Sequence, residues 1–430
     1  MRADVASLVL LAFLLFFLLQ YVVETGLLAL NLRRVARSGG EVPAPLAGRI
    51  PEDTARRSQA YTLANGRLAL VQGAYGALLT ATVLLSGLLP ALDGLLGRGG
   101  LAGASRFVAF LAALALLLSL AHLPFGLYRT FAVEARFGFN RTTPGLWLAD
   151  RLKGLALSAA LGLPLLWAVH AFMAGTGRHW WLWLFAFLCA VQVVLLWLYP
   201  SLIAPLFNRF SPLPPGALRE RLEDLAARAG FRNRGLFVMD ASRRSGHSNA
   251  YFMGLVRPRI VLFDTLVERM SPEESAAVLA HEVGHFKLRH VQRRLALGLA
   301  TSLAGLFVLS LLVDWLPLFE AFGFERPSLH AAVTLFALAG PSFTFFLEPL
   351  GAWLSRRHEF AADRYSAELT REPGALASAL VKLNGENLAN LDPHPWYARW
   401  HHSHPTLLER LAALQALAVS RSTAGANPGA

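Results

Sequence analysis

Seven stretches of this chain are apolar for long enough to cross a bilayer, and that pattern excludes most folds before any residue is read for chemistry. A span needs about 20 helical residues, and such runs cover about residues 5–30, 68–96, 107–128, 154–173, 180–203, 295–316 and 331–354. In hydrocarbon a backbone must satisfy its own polar groups, so these spans are helices. The chain reads as a mainly α, polytopic membrane protein. Its composition agrees, with 55% of 430 residues hydrophobic and 16% charged. A secretory signal would have a shorter core and a soluble chain behind it, whereas here further spans follow.

The formal net charge of +12 is carried by arginine, since lysine occurs only at Lys153, Lys287 and Lys382. The arginines cluster in loops beside apolar spans, which suits an anionic inner leaflet and not a nucleic acid. Arg33, Arg34, Arg37, Arg49, Arg56 and Arg57 follow the first span, and Arg136, Arg141, Arg151 and Lys153 precede the fourth. The positive-inside rule makes both loops cytoplasmic, with the N-terminus outside and the C-terminus inside. Arginine usage points to a bacterial inner membrane. The single cysteine, Cys189, permits no intrachain disulfide and no multi-thiolate zinc site, so a metal would rest on histidine and carboxylate.

Residues 208–293 carry the longest soluble pattern. An amphipathic helix is expected over 214–229, and short strands over 235–239, 249–254 and 259–263. The expected organisation is therefore five membrane helices in 1–207 and a small cytoplasmic α+β insert in 208–293. Two further membrane helices follow in 294–355, cytoplasmic C-terminal helices in 356–419 and a disordered tail in 420–430.

The insert ends in His281-Glu282-Val283-Gly284-His285, an HExxH signature. On a helix, residues four apart share a face, so both histidines can address one cation. Glu282 then sits where it can take a proton from water activated there. Ser271-Pro272-Glu273-Glu274 is a helix start with an N-cap serine and two acids at the positive end of the dipole. That helix is expected to run straight into span six. His290, five residues past His285, is then expected to point off the ligand face, towards headgroups or carboxylates.

A third ligand must come from elsewhere. Glu359 is followed one turn later by Asp363, a spacing that suits a metal-binding glutamate and an acid orienting a ligand histidine. It equally suits a solvated salt-bridge network at an arginine-rich helix end. Glu348, three turns before Glu359, shares its face and is expected either to line a water-filled chamber or to make an interhelical hydrogen bond.

Beyond these spacings, His281 to His285 together with Ser355-Arg356-Arg357-His358-Glu359-Phe360-Ala361-Ala362-Asp363 closely resemble the type I CAAX prenyl endopeptidases, integral-membrane zinc proteases of the gluzincin type. The likeness extends to Phe137-Gly138-Phe139-Asn140, Tyr199-Pro200, 203–208, Ser248-Asn249-Ala250-Tyr251-Phe252, Trp400-His401-His402-Ser403-His404-Pro405 and Leu408-Glu409-Arg410. The resemblance implies seven helices around an intramembrane chamber and one zinc ion per chain, held by His281, His285 and Glu359. It implies Glu282 as general base, His404 as oxyanion stabiliser and Asp363 behind a ligand histidine. It also implies Asn249 and Arg410 at the substrate-binding corner. Read without it, Asn249 caps a turn, His404 precedes a proline at a helix start and Arg410 is a solvated helix residue.

The expected activity is zinc-dependent endoproteolysis of prenylated or membrane-associated peptides and proteins at the bilayer, with no nucleic-acid partner and an oligomeric state the sequence does not give. Two alternatives stand beside it: a general quality-control protease for membrane proteins, and a seven-helix receptor or transporter with a vestigial metal site.

Overall fold

The computed structural model describes residues 2–231, 235–253 and 259–425. Seven helical stretches are long and apolar enough to cross a membrane: Asp4–Arg37, Glu52–Leu85, Gly103–Glu134, Pro144–Gly175, Gly177–Phe207, His290–Leu312 and Leu329–Thr370. The first five comprise α1 (Arg2–Arg37), α2 (Glu52–Leu85), a short α3 (Leu88–Arg98) outside the spans, α4 (Gly103–Tyr128), α5 (Pro144–Gly175) and α6 (Trp180–Leu198). The second span departs from its expected 68–96. Its helix begins at Glu52 in the polar loop and ends at Leu85, where Gly87 turns with φ of 80° and α3 starts afresh. Glycine takes that left-handed conformation without steric cost, so the apolar run is divided there.

The chain then enters the insert through α7 (Ala204–Phe207), β1 (Phe210–Pro212) and α8 (Ala217–Arg228). Next come β2 (Leu236–Met239), β3 (Ala250–Met253), β4 (Arg259–Phe263), α9 (Asp264–Arg269) and α10 (Pro272–Lys287). The sheet order is β1-β2-β4-β3, with β2 and β4 parallel and the outer strands antiparallel to them. The sequence gives no signal for β1, a three-residue edge strand ending in proline. Of the expected strand over 249–254, residue 254 lies outside the described residues. Leu222, Leu225, Ile260, Leu262, Leu266, Leu279 and Val283 form the buried core under α8 and α10.

α10 starts on a full capping box: Ser271 Oγ accepts from the Glu274 amide, and the Glu274 carboxylate accepts from the Ser271 amide. It does not run straight into span six. The helix stops at Lys287, Arg289 takes φ of 60°, and α11 (His290–Leu312) sets off anew. After it come α12 (Leu316–Ala321), α13 (Leu329–Thr344), a 3-10 turn at Phe345–Leu347, and α14 (Glu348–Thr370). α15 (Pro373–Glu386), α16 (Pro395–His401) and α17 (Leu407–Gly425) close the chain. The last helix takes in residues 420–425 of the expected tail; 426–430 lie outside the described residues.

α10 and α14 pack tightly, and Gly284 explains how. A Cβ there would meet Ala362 Cα at 3.2 Å and Tyr365 Cδ1 at 3.1 Å. Because Ala362 is backbone and Gly284 lies inside the HExxH run, this close approach sets how near α14 comes to both histidines. Gly284→Ala should cost about 1–3 kcal/mol by overpacking and part the two helices, read as a lower thermal midpoint together with weaker metal retention on dialysis.

The membrane helices enclose a chamber. One cavity among them, about 1400 Å³, is walled by α4 and α5 and ends on Arg244, Ser245 and His247 of the insert. Another cavity of about 550 Å³ lies between α1, α2, α13 and α16.

Candidate metal centre

Three side chains from two packed helices converge. His281 and His285 project from α10 one turn apart, and Glu359 comes from α14 after the chain has crossed the bilayer and returned. His281 Nε2 lies 3.2 Å from His285 Nε2 and 3.4 Å from Glu359 Oε2; His285 Nε2 lies 3.2 Å from Glu359 Oε1. A tetrahedral ion with bonds of about 2.0–2.1 Å needs donors separated by roughly 3.3 Å. The set therefore fits a small divalent cation as it stands, and one donor atom from each of these three residues can serve a single ion. Glu359 Oε2 is buried and accepts no well-directed hydrogen bond, an oxygen that a cation would satisfy.

Each histidine is oriented from behind. His281 Nδ1 sits 2.8 Å from Asp363 Oδ1, which turns Nε2 towards the donor set. Asp363 in turn accepts from Arg410, whose Nε lies 2.8 Å from Oδ2. Arg410 is 9% exposed, so its contacts are with the acids behind His281 and not with an open surface. Burial lowers its pKa, but the hydrogen bond and charge of Asp363 outweigh it and keep the guanidinium charged. His285 Nδ1 meets His290 Nδ1 at 3.0 Å. His290 stays off the donor set as expected, but its expected partner is corrected: it is buried behind His285 and not among headgroups or carboxylates, because the break at Arg289 redirects the chain. An unbroken-helix spacing could not reveal it.

Burial depresses His281, but hydrogen bonds to Asp363 and Glu359 raise it further, to about 9. Burial pushes the Glu282 carboxyl above its ordinary range, opposed by the charges of His281 and His285. A carboxylate whose proton affinity has been raised is suited to accept a proton from water near neutral pH. His404, on the loop after α16, places Nδ1 2.8 Å from Glu359 Oε2 and stays 63% exposed.

Asn249 directly precedes β3, the outer strand of the sheet beside α10. Its carbonyl accepts from the Phe263 amide at 3.0 Å, and its side chain accepts from the Ala250 amide at 2.8 Å. The segment is anchored through His247, which lies 3.3 Å from Glu134, 3.1 Å from Asn387 and stacks on Phe139 at 4.0 Å. Tyr61 donates to the same Glu134 at 2.7 Å. Phe139 also accepts from the Gly246 amide, so the 137–140 and 245–249 segments pair with each other. The sequence reading gave His247 and Glu134 no role; neither forms a local spacing motif. Glu348 stands at the start of α14, 52% exposed at its side chain and 3.9 Å from His401 Nδ1.

Known proteins resemble this chain in sequence and fold. Residues 31–209 match the family model described as the CAAX prenyl protease N-terminal region with five membrane helices, and residues 212–418 match peptidase family M48. The chain is 37% identical over 414 residues to a rice protein, CAAX prenyl protease 1 homolog (Oryza sativa subsp. japonica), covering 94% of this chain and 96% of that one. It is 33% identical to the human CAAX prenyl protease 1 homolog, covering 94% and 95%. The crystal structure of S. mikatae Ste24p superposes with a TM-score of 0.89 at 29% identity, covering 94% of this chain and 99% of that one.

Proposed function

This chain belongs to the CAAX prenyl protease family of M48 peptidases and is an integral-membrane metalloendopeptidase, and from that premise we propose that it holds one zinc ion between His281, His285 and Glu359 and cleaves prenylated peptides at the bilayer. The observation that carries the metal assignment is the donor set, two imidazole nitrogens and a carboxylate at tetrahedral spacing. The receptor or transporter reading has no support beside it. Prenylated substrates are proposed from the relatives' names; a quality-control role on other membrane proteins is the outcome if prenylation makes no difference. A peptidase assay on farnesylated and unmodified CaaX peptides, with and without chelator, tests both points. Zinc-restored cleavage of the farnesylated peptide supports the proposal, and cleavage that ignores the lipid points to the broader role.

A bound zinc supplies Lewis acidity, acidifying water and polarising the scissile carbonyl. Glu282 takes the water's proton and hands it to the leaving amine. His404 donates to the oxygen that gains charge as the tetrahedral centre forms. Asn249 ends an edge strand whose free side can pair with an extended peptide. Asp363 holds His281 in the tautomer that leaves Nε2 free, and Arg410 holds Asp363. Asp363→Asn should lower zinc affinity about 10–100-fold while excess zinc restores turnover, as measured by competition with a chelating dye.

The division into membrane helices, insert and C-terminal helices at 207, 293 and 355 is likewise proposed. So is the orientation, with the N-terminus outside and the metal centre cytoplasmic, on the strength of the arginine-rich loops. The bacterial inner membrane rests on arginine usage alone, since the relatives named above are eukaryotic.

A further inference from the structure

We propose that Arg356 is a positioning residue whose guanidinium fixes the segment carrying His404 at the metal centre. The inference rests on the oxyanion role assigned above to His404. Arg356 precedes Glu359 by three residues on α14, so both lie on one face of the helix. Its Nη1 donates to three backbone carbonyls around the end of α16: Ala398 at 3.1 Å, Arg399 at 3.0 Å and His402 at 3.2 Å. A helix leaves its last carbonyls without internal partners, and its dipole favours a cation there. The Ala398 carbonyl already accepts from the His402 amide, so Arg356 supplies a partner to the Arg399 and His402 carbonyls and a cation at that terminus.

That terminus needs an anchor. α16 has seven residues, and helices so short hold their place by contacts and not by their own stability. From His402 to Thr406 the chain has no helix or strand, and His404 is 63% exposed, so little surrounds its ring. Yet its Nδ1 lies 2.8 Å from Glu359 Oε2. Other ties hold the ends of this segment. The Trp400 ring lies 5.1 Å from Phe345, and Thr406 caps α17 through Glu409. A ring contact is non-directional, and the Thr406 cap lies beyond His404. The Arg356 bonds are directional and reach His402, two residues from His404. One helix thus brings both the glutamate and, one turn earlier, the tether of the histidine facing it. Misplacing a catalytic group by about 1 Å can cost 10²-fold in rate, which is the vulnerability this tether removes.

The test is a double-mutant cycle in the full-length protein in detergent, with an internally quenched farnesylated CaaX peptide and metal content measured for every variant. Arg356→Ala should lower kcat about tenfold, with KM unchanged within about twofold and metal stoichiometry intact. In the His404→Ala background the same change should alter kcat by less than about twofold, because the group it positions is gone. Arg356→Lys, which keeps a cation with three donors, should recover most of the rate. Equal losses from Arg356→Ala in both backgrounds, or no loss in the wild-type background, would overturn the inference. If Arg356→Ala does not fold, Arg356→Gln takes its place in the cycle with the same outcomes. If His404→Ala alone leaves kcat unchanged, the oxyanion assignment itself fails, and that result is distinct from a cycle without coupling.

Discussion

Glu282→Gln should reduce kcat by about 10³- to 10⁴-fold while the protein keeps its metal, its KM and its fold. The side chain stands between the two candidate ligand histidines in sequence, but it is not a member of the donor set, so its loss removes no ligand. An amide of the same shape fills the same partly buried space and cannot take a proton. General acid–base assistance contributes about 10²–10⁴-fold, and Glu282 is proposed to act twice, on the water and on the leaving amine. Burial raises its carboxyl, so the wild-type group holds a transferred proton more readily than an exposed glutamate would. Metal analysis beside steady-state kinetics decides the matter. Near-normal turnover with metal bound would remove Glu282 from the reaction, whereas loss of metal would make it a ligand instead.

The sequence was most legible where one physical cause acts over a long stretch. Apolar length alone marked seven membrane crossings, because hydrocarbon leaves the backbone no choice but helix. His281 with His285 was legible because a helical turn converts four residues of spacing into one face; for Glu359 with Asp363 the same spacing left a solvated salt-bridge network equally open, and the family resemblance decided between the two. Helix breaks were not legible. Gly87 divides an unbroken apolar run, and Arg289 takes a left-handed turn with no glycine or proline to announce it. That second break is why His290 meets His285 Nδ1 instead of headgroups or carboxylates. Arg410, His247 and Arg356 were illegible for another reason: their partners lie 47, 113 and 42 or more residues away, so only the closed fold brings them together. The chamber was invisible to periodicity, which says which residues are apolar but not what they surround.

That the proposed third ligand arrives on α14 gives Glu359→Ala the widest consequences of any single change. The other two proposed ligands share one helix and keep their spacing whatever the rest of the chain does. Glu359 is the member of the donor set that comes from the membrane helices, because it enters only after α11, α13 and the turn at Phe345–Leu347 have crossed and returned. Its carboxylate is 3% exposed and lies within 3.4 Å of His281, His285 and His404. Removing it takes away one of the three proposed ligands and leaves these imidazoles facing each other with no negative charge between them. Zinc affinity should fall by about 10³-fold or more, beyond the 10–100-fold that an orienting acid such as Asp363 commands. Two observables follow. Activity should be absent and excess zinc should not restore it, in contrast to Asp363→Asn. The zinc-dependent rise in thermal midpoint, which reports binding to the folded state, should vanish at zinc concentrations that saturate the wild type. A Glu359→Ala protein that retains one zinc per chain after dialysis would show that the ion is held by some other group, and the His281, His285, Glu359 centre would have to be abandoned.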